Sequence, residues 1–277
     1  MIAVFAQKPD TAVGKATYEF VHLRDTNHRD KPYKETMVLL LGRHASHYRS
    51  LDKQLQQDQL TRQILDQVKH APNPNSIDLN ITGGGVVTSD EYYQFADGKK
   101  LLTEQYIINY YLVDEPLPQI YWKLQKDTIS FGSLHCQKAT ANFKGRDYEA
   151  WFCAQLPFRN GPWKLQGLPG LIVEAHDTKM EVIFKFAGFE DIRNLHQPIE
   201  PPVDDILTTP EKLARLMEAR AKDPIGFRNA AHESASSHRS GPLDLIKPAQ
   251  IHSINVVKNG NGNTNIINNP IELPEKE

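Results

Sequence analysis

The sequence is poor in the signals that usually assign an activity. No run approaches the roughly 20 apolar residues a bilayer-crossing helix needs; the longest aliphatic run is Met37–Leu41. An integral helical membrane protein is therefore excluded. Neither sign of charge dominates, with 32 basic against 34 acidic residues and a net charge of -2. No broad field would draw nucleic acid or an anionic membrane, so no nucleic-acid partner is expected. There is no Gly-x-Ser-x-Gly elbow for a serine hydrolase. Gly83-Gly84-Gly85 lacks the Lys-Ser/Thr and helix start of a phosphate-cradling loop and reads as a turn. His44 and His47 form an isolated i, i+3 pair that reads as surface polarity, not as zinc ligands. No metal and no cofactor is expected.

What is present is a series of short β segments. Gly14–Leu23 and Tyr33–Leu41 flank a polar turn and read as a hairpin. Leu51, Leu55, Leu60, Ile64 and Val68 recur at near-helical spacing, which predicts one amphipathic helix or a broken pair on the outside of the protein. Strands are then expected over 91–96, 100–111, 120–124, 135–143, 146–154, 171–176 and 179–187, several of them separated by turn residues at Asp97-Gly98, Lys144-Gly145 and Asp177-Thr178. Thr208-Thr-Pro-Glu211 opens a second helix with capping-box spacing and a first-turn proline. Residues 229–242 are rich in Ser, His and Gly and read as mobile. Ile251–Val257 and Asn265–Ile267 flank Asn-Gly turn residues and read as a terminal hairpin. The expected class is α+β, mainly β: a curved antiparallel sheet of several strands with two or three flanking helices. Three regions are expected: a signal-peptide remnant over 1–6, a main antiparallel β domain over 14–196, and a proline-bounded extension over 197–277 carrying one helix and the terminal hairpin.

The two cysteines carry a register argument. A hairpin folded about a two-residue turn at Lys144-Gly145 places Cys136 directly opposite Cys153. Ladder positions alternate, and the pair falls in a non-hydrogen-bonded position, where Cα atoms approach to about 4.5 Å, within reach of a disulfide. A Cys136–Cys153 disulfide is the expectation. The same register puts Phe143, Tyr148, Ala139, Ala150 and Phe152 on one face, the core side, with Lys138/Trp151 and Thr140/Glu149 paired on the other.

After this hairpin, Leu156–Asp177 carries three prolines and three glycines ahead of an apolar strand. So many φ-restricted and φ-permissive residues specify a defined loop. Gly161, Pro162, Trp163, Gly167, Leu168, Pro169, Gly170, Leu171 and Ile172 form a candidate binding or structural loop, with a tight turn centred on Pro169-Gly170. The unaltered hexapeptide Gly167-Leu-Pro-Gly-Leu-Ile172 resembles the hallmark of the GLPGLI family of envelope proteins. The resemblance takes in Gly14–Phe20, Tyr33–Leu40, Gly145–Trp151, Gly161-Pro-Trp163 and Asn269–Leu273. It implies export into the periplasm or to the outer membrane, with Val4-Phe-Ala6 as the end of a signal peptide, but no established activity and no catalytic residue. The leading expectation is a non-enzymatic binding or accessory protein for an apolar ligand, with Tyr106, Tyr110, Tyr111, Trp122, Trp151 and Trp163 available as lining. The alternative is an interaction subunit docking on an outer-membrane protein through Trp163 or 198–202. A hydrolase-type enzyme ranks below both.

Overall fold

The computed structural model describes residues 10–107, 109–227, 246–258, 260, 262–263 and 265–274. The expected signal remnant over 1–6 and the Ser/His-rich stretch 229–242 lie outside them. Strand accounts for 45% of the chain and helix for 17%, so the protein is mainly β.

The alternating pattern of β2 (Gly14–His22) buries Ala16, Tyr18, Phe20 and His22 on one face, and β3 (Tyr33–Leu41) pairs with it in register Tyr18↔Met37. The chain continues outward through β4 (Ala45–Ser50), β6 (Glu91–Phe95), β7 (Lys100–Tyr106) and β8 (Tyr110–Pro116), each antiparallel to its neighbour. It then crosses to the far edge at β9 (Lys123–Phe131). From there β10 (Leu134–Phe143), β11 (Arg146–Cys153), β12 (Leu171–Asp177) and β13 (Val182–Asp191) lead back until β13 pairs with β2. Parallel pairing of β15 (Ile206–Thr208) with β8 completes a mixed sheet of 12 strands, not closed into a barrel.

Helix α1 (Leu51–Lys69) is one unbroken helix. Ser50 caps it by accepting from the Lys53 amide at 2.8 Å, and Ile64 is its buried side chain. Helix α2 (Pro210–Lys222) has its proline in the first turn as expected, but its N-cap is Thr209, one residue past the Thr208 that the capping-box spacing to Glu211 implies. Several features depart from expectation, among them the strand read over 120–124, which instead runs from Lys123 to Phe131. Residues 100–111 form not one strand but all of β7 and the start of β8, because the chain reverses between Tyr106 and Tyr110, which pair across the hairpin. Ile251–Val257 is a strand (β16), but its partner is the parallel β5 (Ile77–Thr82), not Asn265–Ile267. His47 is buried inside β4, where its ring stacks on Tyr93 at 4.0 Å and bonds Glu91 at 2.8 Å; it is not surface polarity.

The hairpin register of β10 and β11 is the one the sequence specifies, with Phe143↔Arg146 closing the ladder and Gln137↔Phe152 near its far end. Lys144 and Gly145 both have positive φ, 49° and 70°, as a two-residue hairpin turn requires. The disulfide is a correction. Cys136 and Cys153 come within 3.8 Å of each other but are free thiols, against a bond length of about 2.0 Å. Each thiol is instead turned to an oxygen: Cys136 Sγ to the Leu134 carbonyl at 3.9 Å, Cys153 Sγ to Gln155 Oε1 at 3.5 Å. Burial, followed by the neighbouring Cys153, pushes the Cys136 thiol up to about 12, which suppresses the thiolate. Reduced, folded protein should therefore react with iodoacetamide at least about a hundredfold more slowly than the same protein in urea. Alkylation at the rate of an open peptide thiol would refute this burial.

The segment between β11 and β12 lies on the main core. Trp163 is buried against Phe143, Tyr148 and Phe184, with ring centroids 5.6, 6.4 and 6.4 Å away. Its carbonyl accepts from Gln94 Nε2 at 3.1 Å, so the same residue reaches both β10 and β6. The Tyr18 hydroxyl donates to the Ile172 carbonyl at 2.8 Å, which fastens the start of β12. Gly170 packs so closely that a Cβ there would stand 2.4 Å from the Cys153 carbonyl oxygen. We expect Gly170→Ala to cost about 2–3 kcal/mol in urea unfolding. Gly84→Ala, at a positive φ of 84° but facing open space, should cost about 1 kcal/mol. Equal losses would refute the close-packing argument.

Candidate ligand cavity beneath the C-terminal strap

Residues 267–274 return across the sheet as a strap without strand pairing, and a single guanidinium holds much of it. Arg146 opens β11 just after the hairpin turn, which aims its side chain inward, where it is 1% exposed. Its Nε donates to the Ile271 carbonyl at 2.9 Å, and its Nη2 donates to Asn269 Oδ1 and the Pro270 carbonyl, both at 2.7 Å. Nη1 donates to Asp177 Oδ2 at 2.7 Å and lies 3.4 Å from Glu181 Oε2. Asp177 uses its other oxygen to accept from the amides of Glu181 and Val182. The Leu273 amide donates to the Lys144 carbonyl at 3.0 Å, and Lys164 pairs with Glu272 at 2.8 Å.

Between strap and sheet is a cavity of about 220 Å³. Phe20, Met37 and Phe184 of the sheet wall it together with Tyr48, Tyr92 and Trp163; Ile267, Pro270 and Ile271 close it from the strap side; His22, Arg24, Thr88 and Asp90 supply its polar groups. The rings are aligned: Phe20 stacks on Phe184 with planes 17° apart, and Phe184 on Trp163 with planes 14° apart. Arg24 lies over the Tyr33 ring at 3.2 Å and donates to Thr88 Oγ1 at 3.3 Å. The Tyr48 hydroxyl and Arg24 Nε are buried without a hydrogen-bond partner, and Trp163 Nε1 faces the Tyr92 hydroxyl without completing a bond of normal geometry. Burial raises the carboxyl of Asp90, whose oxygens accept from Ser89 Oγ and Gln105 Nε2.

Residues 142–174 match a family model described as "Protein of unknown function (Porph_ging)". The matched stretch contains the hairpin turn, Arg146, all of β11, Trp163 and the hexapeptide Gly167–Ile172. No curated protein matches the chain. Two solved structures, "Structure of PNGF-II in P21 space group" and "Structure of PNGF-II in C2 space group", align over 74% of this chain with a TM-score of 0.47, at 9% and 10% identity. The aligned part spans 32% of the length of theirs.

Of the candidate loop residues, Trp163 alone reaches the cavity. Gly161, Pro162, Leu168, Gly170, Leu171 and Ile172 are buried in packing, Gly167 is half-buried at a φ of 101°, and Pro169 faces solvent. Among the other aromatics named as lining, Tyr106 is exposed, and Tyr110, Tyr111, Trp122 and Trp151 lie away from the cavity. Phe20, Tyr48, Tyr92 and Phe184 take their place. Nothing in the spacing of those four marks them as a set. A larger open groove of about 660 Å³ runs between α1 and Gly83–Gly85, walled largely by glycines and glutamines, and it brings no convergent set of titratable groups. Among the described residues, no group of three metal-ligating side chains comes together.

His22 joins cavity and strap through a 2.8 Å contact between Nε2 and the Asn269 carbonyl. Burial and then the Arg24 charge lower its pKa from 6.5 to about 4. In the folded protein it stays neutral while an unfolded-state histidine takes up its proton, so acidification through that window favours unfolding. The loss begins near pH 6.5, levels off below about 4, and amounts to about 3 kcal/mol; buried His47, also lowered, adds in the same sense. The urea midpoint should fall between pH 7.5 and pH 5, and should fall less in His22→Gln, whose amide can still donate to Asn269. Equal falls in both proteins would remove His22 as a cause.

Proposed function

We propose that this protein is an exported, non-catalytic binding protein of the cell envelope, of the GLPGLI family, which holds a small apolar ligand between its sheet and its C-terminal strap. The observation that carries the reading is the cavity itself: aromatic walls, a few polar groups at one side, and a cover supplied by the far end of the chain. The curved sheet belongs to the same reading. β6 and β10 stand seven positions apart in the strand order, about 33 Å in a flat sheet. Trp163 nevertheless lies within 3.1 Å of Gln94 and 5.6 Å of the Phe143 ring, which a sheet bent around this face accommodates. The unaltered hexapeptide and the match over 142–174 support the family and, through it, the envelope.

A binding role fits the side chains better than catalysis. His22 already contacts a backbone carbonyl, Thr88 Oγ1 accepts from Arg24, and the Asp90 oxygens accept from Ser89 and Gln105, so these polar side chains of the lining are committed to structural hydrogen bonds. The test is native mass spectrometry on protein recovered from the envelope of its own host, followed by solvent extraction. A bound small molecule is expected, absent from Ile267→Trp, in which an indole fills the cavity from its exposed strap position. Ligand present at 100 times its Kd would stabilise the fold by about 2.7 kcal/mol. Recovery from the cytoplasm, or protein of bare chain mass with extracts causing no change in melting, would sink the proposal.

A further inference from the structure

A second pocket adjoins the cavity beneath the strap. It measures about 400 Å³ and lies between the strap and α2, with Thr103, Val113, Lys164, Leu213 and Met217 in its walls. Asp90, Tyr92, Pro270 and Ile271 line both pockets. Strand register places the two on one face of the sheet. Tyr48 of β4 pairs with Tyr92 of β6, Tyr92 with Thr103 of β7, and Thr103 with Val113 of β8. Directly paired residues project to the same side, so the row begins in the first pocket and ends in the second.

That row covers three interstrand spacings, about 14 Å. One acyl chain of a membrane lipid reaches about 15 Å, half the hydrocarbon thickness of a bilayer. A single aromatic ring does not span the row. An extended peptide has the length but not the chemistry, because the sheet's own backbone groups are paired between strands and amides laid across its face would lack partners. A hydrocarbon chain has no such groups to satisfy. At one end the Phe20, Phe184 and Trp163 rings are available to a tail. At the other, Lys164 is already paired, with Glu272 at 2.8 Å and with Glu115 at 3.7 Å, so a head group without net charge suits it.

We infer that the two pockets are one elongated site for a single-chain amphiphile. Its alkyl chain runs from the Phe184 and Trp163 rings past Tyr92, beneath Pro270 and Ile271, to Leu213 and Met217, with an uncharged polar head at the α2 end. This rests on the cavity being the binding site and adds α2 to the strap as a second piece of its cover.

Calorimetric titration of the full chain with benzyl alcohol, n-octanol and n-dodecanol tests it. Each buried methylene adds a nearly constant increment, so n-dodecanol should bind about a hundredfold more tightly than n-octanol, and benzyl alcohol more weakly than either. Ala214→Trp, at an exposed position of α2 that lines the outer pocket, should bring n-dodecanol down to about the affinity of n-octanol and leave n-octanol unchanged. Ile267→Trp should abolish binding of all three. Equal affinity for the two alkanols, or an n-dodecanol affinity unmoved by Ala214→Trp, would overturn the elongated site while leaving the cavity as a binding site. Failure of all three to bind would overturn both. If Ala214→Trp does not fold, Met217→Asp, also at an exposed position lining the outer pocket, takes its place with the same expected loss.

Discussion

The architecture depends on one buried charge. Arg146 is taken almost completely out of water, and an unpaired guanidinium there would be prohibitive. Its three nitrogens make five contacts, to Asp177, Glu181, Asn269, Pro270 and Ile271. These partners come from the turn between β12 and β13 and from the last described residues of the chain. The guanidinium therefore joins the β10–β11 hairpin, the adjacent hairpin and the strap at one point. Its planar fork suits a partner set of carboxylate, amide and carbonyl oxygens, and a lysine's single ammonium could not span it. Gly145 beside it completes the joint, because a Cβ there would stand 2.5 Å from the Pro274 carbonyl oxygen. The two sequence segments Gly145–Trp151 and Asn269–Leu273, more than a hundred residues apart, are thus two halves of one contact.

The Pro/Gly segment solves a different problem. An open sheet of this width leaves an apolar face that must be covered. The segment covers it with one large side chain, held by backbone constraint. Trp163 sits at a φ of 55°, a left-handed conformation that costs a non-glycine residue about 1–2 kcal/mol. Burying an indole among Phe143, Tyr148 and Phe184 outweighs that cost. Gly161 and Gly170 allow the approach on either side, since a Cβ at Gly161 would stand 2.8 Å from Ile172 Cβ. The hexapeptide is the exit from this excursion: Gly167 takes the positive φ, Gly170 passes against the Cys153 carbonyl, and Leu171-Ile172 enters the sheet under the Tyr18 hydroxyl.

What the sequence displays is local order. The β10–β11 register, the start of α2 to within one residue, and the bounds of β3 follow from alternation, turn residues and capping chemistry, all of which act within a few positions. The failures have physical causes. The reversal between Tyr106 and Tyr110 has Asn109 as its sole turn-forming residue in a run of β-favouring ones, so the sequence reads as continuous strand. Parallel pairing of β16 with β5 joins segments about 175 positions apart and leaves no local trace. The cysteine register was legible because the turn fixes it, but side-chain rotation and thiol hydrogen bonding decide whether a bond forms, and neither is written in spacing. His47 reads as exposed only through its pairing with His44, which is exposed, whereas its cover comes from Tyr93 and Glu91 of another strand.

The cavity was the least legible feature for the same reason, and that bears on how it works. Its walls come from β2, β3, β4, the residues just before and within β6, the Pro/Gly segment, β13 and the strap, so no contiguous motif encodes it. It exists only when both Trp163 and the strap are seated. Both depend on the β10–β11 hairpin, Trp163 by packing on Phe143 and Tyr148 and the strap by bonding to Arg146. A guest that fills the cavity touches Trp163, Pro270 and Ile271 together, so its binding energy adds to the contacts that hold the strap down. Whatever loosens Arg146 from Asn269 removes a wall of the cavity, and the affinity of any guest would be coupled to closure of the strap by the same free energy in both directions.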